Sequence, residues 1–502
     1  MKILLVNPAV RPDSPRLLPN VGLGYIASAI HRAGIDLDIL DIDVHRYNEG
    51  QVEKLLRIKK YDAVGIGTLA SQYKWCKSIA HVIKGVRPTV PIIVGNTLGT
   101  SVPEILLTKT DVDIAVLGEG DITIVDLLTK INSGEPLESV QGICYKENGK
   151  IQKTPSREVI SNIDEIPFPN WDLFEMEPYL EKSKHNIPIS ERNPMPVEEM
   201  VAMPVTTARG CPFKCTFCYH AFQEKKYRHR SPANICAEIE LWKNKYGANF
   251  VNFWDELSFY YYKATEEFAD LMIEKDLGVY FAGSCRSDLL GRADTDIEKN
   301  IEIAGKLKKA GCVGLGYALE NANKEILVQM NKKCDADEFI LQTRILQEAG
   351  IDCYTSLVLG YPQETKGTIA ETFDVLRRAR IYPSVGYLEP MPGTPMYQLA
   401  IDQGFIANEE DYLLIMGDRQ DIRLNMTKMT NEQMEAIVKD ELVVLNKELE
   451  TGLKEDELVK TRTYRTAKTV NSFLPKKTTQ SFLQGFGVAA EVAASGENKT
   501  SC

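Results

Sequence analysis

The sequence predicts an α/β protein in consecutive parts: an N-terminal doubly wound parallel-sheet domain, a central partial (β/α)6 barrel and a helical C-terminal region. Three observations predict it. Short apolar strand patterns alternate with helical patterns over residues 1–145 and again over 201–400, and such alternation builds parallel sheets covered by helices. Between them, over 146–200, Pro155, Pro167, Pro169, Pro178, Pro188, Pro194 and Pro196 break any long element. Beyond 400 the pattern is helical, with Met434, Ile437, Val438, Leu442 and Leu445 on one stripe of Asn431 to Leu449, a packing face. This C-terminal region is set at 401–485, and the small, polar stretch 486–502 is expected to be a disordered tail.

Composition narrows the classes. The 502 residues are 44% hydrophobic and 26% charged, an ordinary globular mix with room for two or three domains. A net charge of -11 argues against a general nucleic-acid binder, which needs a basic surface. No apolar run reaches the roughly 18 residues that cross a bilayer. Met1 to Pro8 reads as a buried strand rather than a signal peptide, so a cytoplasmic protein without a transmembrane segment is expected. An odd count of 11 cysteines is a poor disulfide framework. Cys76, Cys144, Cys236, Cys285, Cys312, Cys334, Cys353 and Cys502 stand singly and read as small buried hydrophobes or incidental thiols.

In the first domain the expected strands are Ile3 to Val6, Asp36 to Ile42 (an outer strand, from its alternating acids), Ala63 to Ile66, Ile92 to Val94 and Ile114 to Val116. Helices fit at Val21 to Ala33, stopped by Gly34, at Tyr73 to Lys84 and at Pro103 to Thr108. Ligands of such sheets bind beyond the strand C-termini. There the chain carries Gly65-Ile66-Gly67-Thr68-Leu69, Gly95-Asn96-Thr97-Leu98-Gly99-Thr100 and Gly118-Glu119-Gly120-Asp121. Three such turns in succession fit a cofactor edge, and they also fit plain turn chemistry.

The order of these segments resembles the cobalamin-binding domain found ahead of many radical S-adenosylmethionine (SAM) domains. Asn7-Pro8, Pro19 to Ala27, Gly95 with Thr100, Pro103-Glu104, Val112-Asp113 and Gly118-Glu119-Gly120 carry the resemblance. It implies that Gly67, Thr68, Gly95, Gly118, Glu119 and Gly120 bind cobalamin. Domains of the methionine-synthase kind ligate cobalt through an Asp-x-His-x-x-Gly element after the first strand. Here Asp43-Val44-His45 follows the second strand and Asn48 replaces the glycine, so His45 reads as a surface-loop histidine. In the connecting segment, Phe168, Trp171 and Phe174 are too apolar for a solvated linker and read as an ordered strap between domains.

Only one cysteine cluster stands out. Ala208-Arg209-Gly210-Cys211-Pro212-Phe213-Lys214-Cys215-Thr216-Phe217-Cys218-Tyr219 follows the apolar stretch Val201 to Thr207. Three thiolates at Cys-x-x-x-Cys-x-x-Cys spacing can converge on an iron–sulfur cluster and leave one iron of a four-iron cluster open. Zinc is the rival, with His220 as fourth ligand, but that spacing is tight and no second Cys-x-x-Cys exists. The motif resembles that of radical SAM enzymes, in which Cys211, Cys215 and Cys218 would hold the 4Fe-4S cluster and the open iron would chelate SAM.

Downstream, strands are expected at Phe250 to Trp254, Val279 to Gly283, Gly314 to Leu319, Tyr354 to Leu359 and Ser384 to Leu388, with helices at Asn234 to Lys245, Lys263 to Lys275, Ile297 to Ala310, Ala336 to Ala349 and Thr368 to Arg380. Function in parallel barrels gathers at the strand C-termini. By the resemblance, Asp255 or Glu256 would take the SAM ammonium, Arg286 its carboxylate and Glu320 its ribose, and Gly360 would open a Gly-x-Pro-x-Glu-Thr turn. The bland alternatives are helix caps for Asp255 and Glu320 and a surface ion pair for Arg286.

The resemblance as a whole implies a radical SAM enzyme with a 4Fe-4S cluster, SAM and cobalamin. Reductive SAM cleavage would start hydrogen abstraction from an unactivated carbon of a small-molecule or lipid substrate. Methylcobalamin would then methylate that carbon, with flavodoxin or ferredoxin as electron donor. An oxidative cyclase like the anaerobic magnesium-protoporphyrin ester cyclase is the alternative. A methylthiotransferase would need three more N-terminal cysteines, and only Cys76 and Cys144 precede the motif. A cobalamin- or metal-binding regulator without turnover is the reading from another class. The scheme requires no side-chain base, so the catalytic residues are left unassigned.

Overall fold

Ile3, Leu4, Leu5 and Val6 are buried on both faces, as a central parallel strand must be. In the computed structural model, which describes residues 1–9, 16–187, 190, 192–219, 227–292, 294–417 and 419–459, they belong to β1 (Lys2–Asn7). Parallel to it run β2 (Asp36–Asp41), β3 (Ala63–Gly67), β4 (Ile92–Gly95) and β5 (Ile114–Val116). The expected parallel sheet is in fact mixed, because β6 (Ile143–Glu147) and β7 (Lys150–Lys153) add to it antiparallel, past the boundary placed at 145. The order is β2-β1-β3-β4-β5-β6-β7, with β2 on the outside as its alternating acids suggest. Asn148 and Gly149, both at positive φ, make the β6–β7 hairpin turn. The glycine-bearing turn after β4 is partly helical, Asn96–Ser101.

Packing leaves no room at one of those glycines. A Cβ on Gly99 would lie 2.5 Å from the Val94 carbonyl oxygen and 3.1 Å from that of Val116. Both are sheet backbone and cannot step aside. Gly99→Ala is therefore expected to destabilise the fold by roughly 1–3 kcal/mol, read as a lowered urea midpoint.

The strap is ordered. Trp171 is fully buried, and its ring lies where a Cβ on Gly24 would be, so the helix Val21–Arg32 and the strap interlock. The Asn170 N–H donates to Ser28 Oγ at 2.7 Å.

The second sheet holds β8 (Ala202–Val205), then, after the short ribbon β9 (Ala208–Arg209) and β10 (Arg228–His229), β11 (Phe250–Phe253), β12 (Tyr280–Ser284), β13 (Cys312–Gly316), β14 (Asp352–Leu359) and β15 (Pro383–Tyr387). Its order is β15-β14-β13-β12-β11-β8, six parallel strands. This is the partial barrel expected from the alternation. Ile187, Met200, Ala202, Phe250 and Val313 pack together within it, and Phe253, Phe268 and Phe281 stack on the helix side. The helix Asn431–Leu449 buries Met434, Val438, Leu442 and Leu445 and packs on the helix Lys366–Ala379. Arg377 pairs with Glu441 across that contact. The end of the 401–485 region, from 460, and the expected tail lie outside the described residues. Among the described residues no helix is long and apolar enough to cross a membrane.

Candidate active site at the domain seam

Cys211, Cys215 and Cys218 lie in the loop between β9 and β10, each partly exposed. The Cys218 N–H donates to the Cys215 carbonyl at 3.2 Å, curling the backbone around the three thiols. Burial raises the pKa of each, that of Cys218 to about 12, and neighbouring thiols push the same way at Cys211 and Cys218. Among the described residues no three His, Cys, Asp or Glu side chains are close enough to grip a single ion. Cys215 acts on the Cys211 thiol and both act on that of Cys218, so the three lie near one another, and three soft thiolates are a donor set that fits a 4Fe-4S cluster. His220 lies outside the described residues.

A segment that sequence reasoning missed braces this loop. Thr216 donates from N to the Met330 carbonyl at 2.9 Å and from Oγ1 to that of Gln329 at 2.8 Å. Asn331, at φ 48, donates from Nδ2 to the Lys214 carbonyl at 2.8 Å. Lys332 Nζ stands 3.3 Å from Glu320 Oε1, and both influence the Cys215 thiol. The available signal was Asn331 in the left-handed region just past a helix end, ahead of paired lysines.

The barrel-end residues gather around the same loop. Arg286 lies over the Phe213 ring at 3.9 Å, donates from Nε to Asp288 Oδ1 at 3.1 Å and also holds the Lys333 carbonyl. Its partner is thus a neighbouring carboxylate, with its charge still felt at Cys211 and Cys215. Glu320 sits at φ 64 with its side chain buried against Lys332. Gly360, at φ 104, is a position for glycine, and its N–H donates to Glu364 Oε2 at 3.1 Å, which closes the expected turn.

Asp255 is spent differently. Thr207 donates to it from N at 2.8 Å and from Oγ1 at 2.7 Å, so the carboxylate clamps the chain leaving β8 towards the cysteines. The exposed carboxylate at that strand end is Glu256, which acts on Cys211 and Cys218. Burial lifts the Asp255 pKa from 3.8 to about 6, against the Thr207 hydrogen bonds. The folded state therefore holds this proton more tightly than the unfolded chain. Its contribution to stability is full below about pH 4 and is lost as pH rises through about 6, on the order of 3 kcal/mol. Asp255→Asn, which keeps an acceptor for the Thr207 N–H, is expected to flatten that limb of the stability–pH curve, measured by urea unfolding between pH 4 and 7.

Facing the loop is the glycine edge of the first domain. Gly118, at φ 71, has open space where a Cβ would stand, and Gly95 has only Val116 at 4.0 Å. Gly67 ends β3 with Leu23 at 3.5 Å, and Thr68 is buried on Gln72. Gly120 begins the helix Gly120–Ser133, and a Cβ there would meet Ile26. Ser101 Oγ is buried without a partner beside Tyr219 and Gly393. An open glycine edge with an orphaned hydroxyl fits a bulky polar cofactor such as cobalamin. His45 is not the loose surface histidine expected: it ends a short helix, its side chain is 8% exposed, and Nε2 lies 2.8 Å from Glu175. Packing against the strap, through Glu175, accounts for the difference.

Two contacts tie the loop to this edge. Two residues before Cys211, Arg209 reaches Asp121 at 2.8 Å and Glu119 at 3.1 Å. One residue after Cys218, the Tyr219 side chain lies beside Ser101 and close to Thr100, whose Oγ1 accepts from the Gly118 N–H at 3.1 Å. Glu119 also pairs with Arg228 at 2.7 Å and accepts from the Ile160 N–H at 2.9 Å.

A family model described as the Radical SAM superfamily matches residues 205–376, and one described as the B12 binding domain matches residues 10–128. The chain joins a B12-binding domain to a radical SAM domain. It is 26% identical over 448 residues to an uncharacterized methyltransferase, PH0819, of Pyrococcus horikoshii, covering 88% of this chain and 91% of that one. It is 27% identical over 386 residues to the anaerobic magnesium-protoporphyrin IX monomethyl ester cyclase of Rubrivivax gelatinosus, covering 75% of this chain and 66% of the cyclase. Among solved structures, the radical SAM methyltransferase TsrM of Kitasatospora setae, with cobalamin and a [4Fe-4S] cluster bound, matches at TM-score 0.62 and 16% identity, covering 81% of this chain and 78% of TsrM. The last likeness is one of fold. The cofactors of the two domains are a 4Fe-4S cluster with SAM and, in the B12-binding domain, cobalamin.

Proposed function

We propose that this radical SAM protein is a cobalamin-dependent enzyme that methylates an unactivated carbon of a small-molecule or lipid substrate. The observation that carries the reading is the seam. The loop bearing Cys211, Cys215 and Cys218 is tied through Arg209 to the glycine edge of the B12-binding domain and packs Tyr219 beside Ser101 of that edge, so one substrate between them would face both cofactors. When bound, the cluster supplies the electron that cleaves SAM, and cobalamin supplies the methyl group.

The chain's own residues bind and orient. The three thiols would hold the cluster in the loop between β9 and β10. Glu256 offers its exposed carboxylate to the SAM ammonium, and Asp255 positions the loop through Thr207. Arg286, over the Phe213 ring, would offer its charge to the SAM carboxylate, and Glu320, steadied by Lys332, would take the ribose. Gly360 supplies the positive φ that shapes the turn after β14, closed by its N–H on Glu364. Gly67, Thr68, Gly95, Gly118 and Gly120, at the ends of β3, β4 and β5, would hold the cobalamin. Flavodoxin or ferredoxin would deliver the electron. Oxidative ring closure with the same cofactors is the second reading, favoured by the likeness to the cyclase.

Anaerobic reconstitution tests this. A four-iron spectrum, retained hydroxocobalamin and 5′-deoxyadenosine formed from SAM with dithionite are expected. Iron without deoxyadenosine would make the protein a regulator. Failure to retain hydroxocobalamin would remove the methyl transfer and leave the radical chemistry.

A further inference from the structure

The neck of the cluster loop is the ribbon β9–β10, in which Arg209 pairs with Arg228. Opposed residues of an antiparallel pair project from the same face. Both guanidinium groups converge on one carboxylate, Glu119, with Arg209 Nη1 at 3.1 Å and Arg228 Nη1 at 2.7 Å from Oε1. Arg209 also forks onto Asp121, Nη1 to Oδ2 at 2.8 Å and Nη2 to Oδ1 at 3.0 Å. Two cations meet two anions out of water: the side chains are 16% exposed for Arg209, 13% for Asp121 and 6% for Glu119 and Arg228. Tyr25 of the first domain lies against Arg209 at 5.1 Å and engages Thr206 at 3.1 Å.

We propose that Arg209 is a positioning residue whose fork on Asp121 and Glu119 sets the distance between the cluster loop and the cobalamin edge. This rests on the cobalamin-dependent reading above. Each end of the fork is a short piece of backbone from a cofactor-binding element: Arg209 lies two residues before Cys211, and Glu119 and Asp121 come one and three residues after Gly118. A bidentate pair holds direction as well as distance, because the guanidinium plane and the carboxylate plane must align. A lysine would keep the charge and lose the plane. Glu119 is thereby a receptor for the barrel rather than a contact to the corrin, since Arg209, Arg228 and the Ile160 N–H occupy its oxygens. Without the fork, two domains joined through the 146–200 strap would be freer to hinge.

The reconstituted full-length protein provides the test. A reduced cluster and cob(II)alamin each carry unpaired electrons, so pulsed electron paramagnetic resonance reads their separation. A narrow distance distribution is expected in the wild type, a broader one in Arg209→Lys, and the broadest in Arg209→Met, with iron and cobalamin contents retained. A wild-type distribution in Arg209→Met would overturn the proposal. Hydrogen exchange decides it independently of cobalamin. In Arg209→Met, or in Asp121→Asn should that variant not fold, amides of residues 206–219 and 118–122 are expected to exchange about tenfold faster. Unchanged exchange would overturn the clasp even where the wild type binds cobalamin, and faster exchange would uphold it even where the wild type binds none. Loss of cobalamin in Glu119→Gln, with exchange at the ribbon unchanged, would make Glu119 a corrin contact and also overturn it.

Discussion

Cys218→Ala is expected to bring 5′-deoxyadenosine formation down to background and to leave the reconstituted protein without a four-iron spectrum. Three thiolates are the smallest protein set that holds a cubane and leaves one iron open for SAM. Removing one leaves two ligands and a second exposed iron, which is lost to solvent. Serine does not rescue it, because a hard hydroxyl is a poor substitute for a soft thiolate. Cys218 is the informative choice of the three: burial, then Cys215 and Glu320, push its pKa to about 12, so an apo-protein keeps this thiol protonated and cluster assembly must displace that proton. Cys236→Ala is the control. That cysteine is buried on the helix Pro232–Tyr246, and full iron content is expected with only a packing loss of about 1 kcal/mol. Iron and sulfide assays with chromatography of the nucleoside products read both variants.

Lys332→Met is expected to destabilise the protein by about 3–5 kcal/mol, because it strands a buried carboxylate. Lys332 and Glu320 are only 11% and 10% exposed, 3.3 Å apart. Burial works against the Lys332 ammonium, but Glu320, Cys334 and Cys215 outweigh it and hold its pKa above the ordinary value. Without the ammonium, Glu320 loses its ion-pair partner beside Cys215 and Cys218, and Arg286 is left as the cation acting on Cys215. Lys332→Met with Glu320→Gln is expected to recover most of the loss, since removing both charges removes the desolvation penalty as well. The urea midpoints of the single and double variants measure the coupling. A single variant as stable as the wild type would show that water reaches the pair.

What the sequence made legible follows from chain locality. The strand runs at Ile3, Ala63, Ile92 and Ile114 lie where they were expected, because a strand buried on both faces is apolar without alternation and short. The helix Asn431–Leu449 is bounded as its stripe predicts, with Thr430 and Gln433 as a capping box. The β6–β7 hairpin was equally legible at Asn148-Gly149 and was passed over, which is why the first sheet was expected to be parallel throughout. Asp255 shows the opposite case. Its place at a strand end was readable, but its partner Thr207 was not, and the partner decides whether the carboxylate is free for a ligand.

By itself, then, the sequence determined the two α/β domains, the order in which they come and the three thiols that can share one cluster. All of these are written in spacings of a few residues, which the backbone geometry of strand, helix and loop converts directly into shape. Only the tertiary structure decided that the cluster loop is clasped to the glycine edge. Arg209 and Asp121 are 88 residues apart in the chain, and Thr216 and Gln329 are 113 apart. Partners at such separations are chosen by how two sheets and a strap pack, and by the need to pair every charge that packing takes out of water. That requirement placed Arg209 and Lys332 beside the cysteine loop, and no spacing in the chain names their partners.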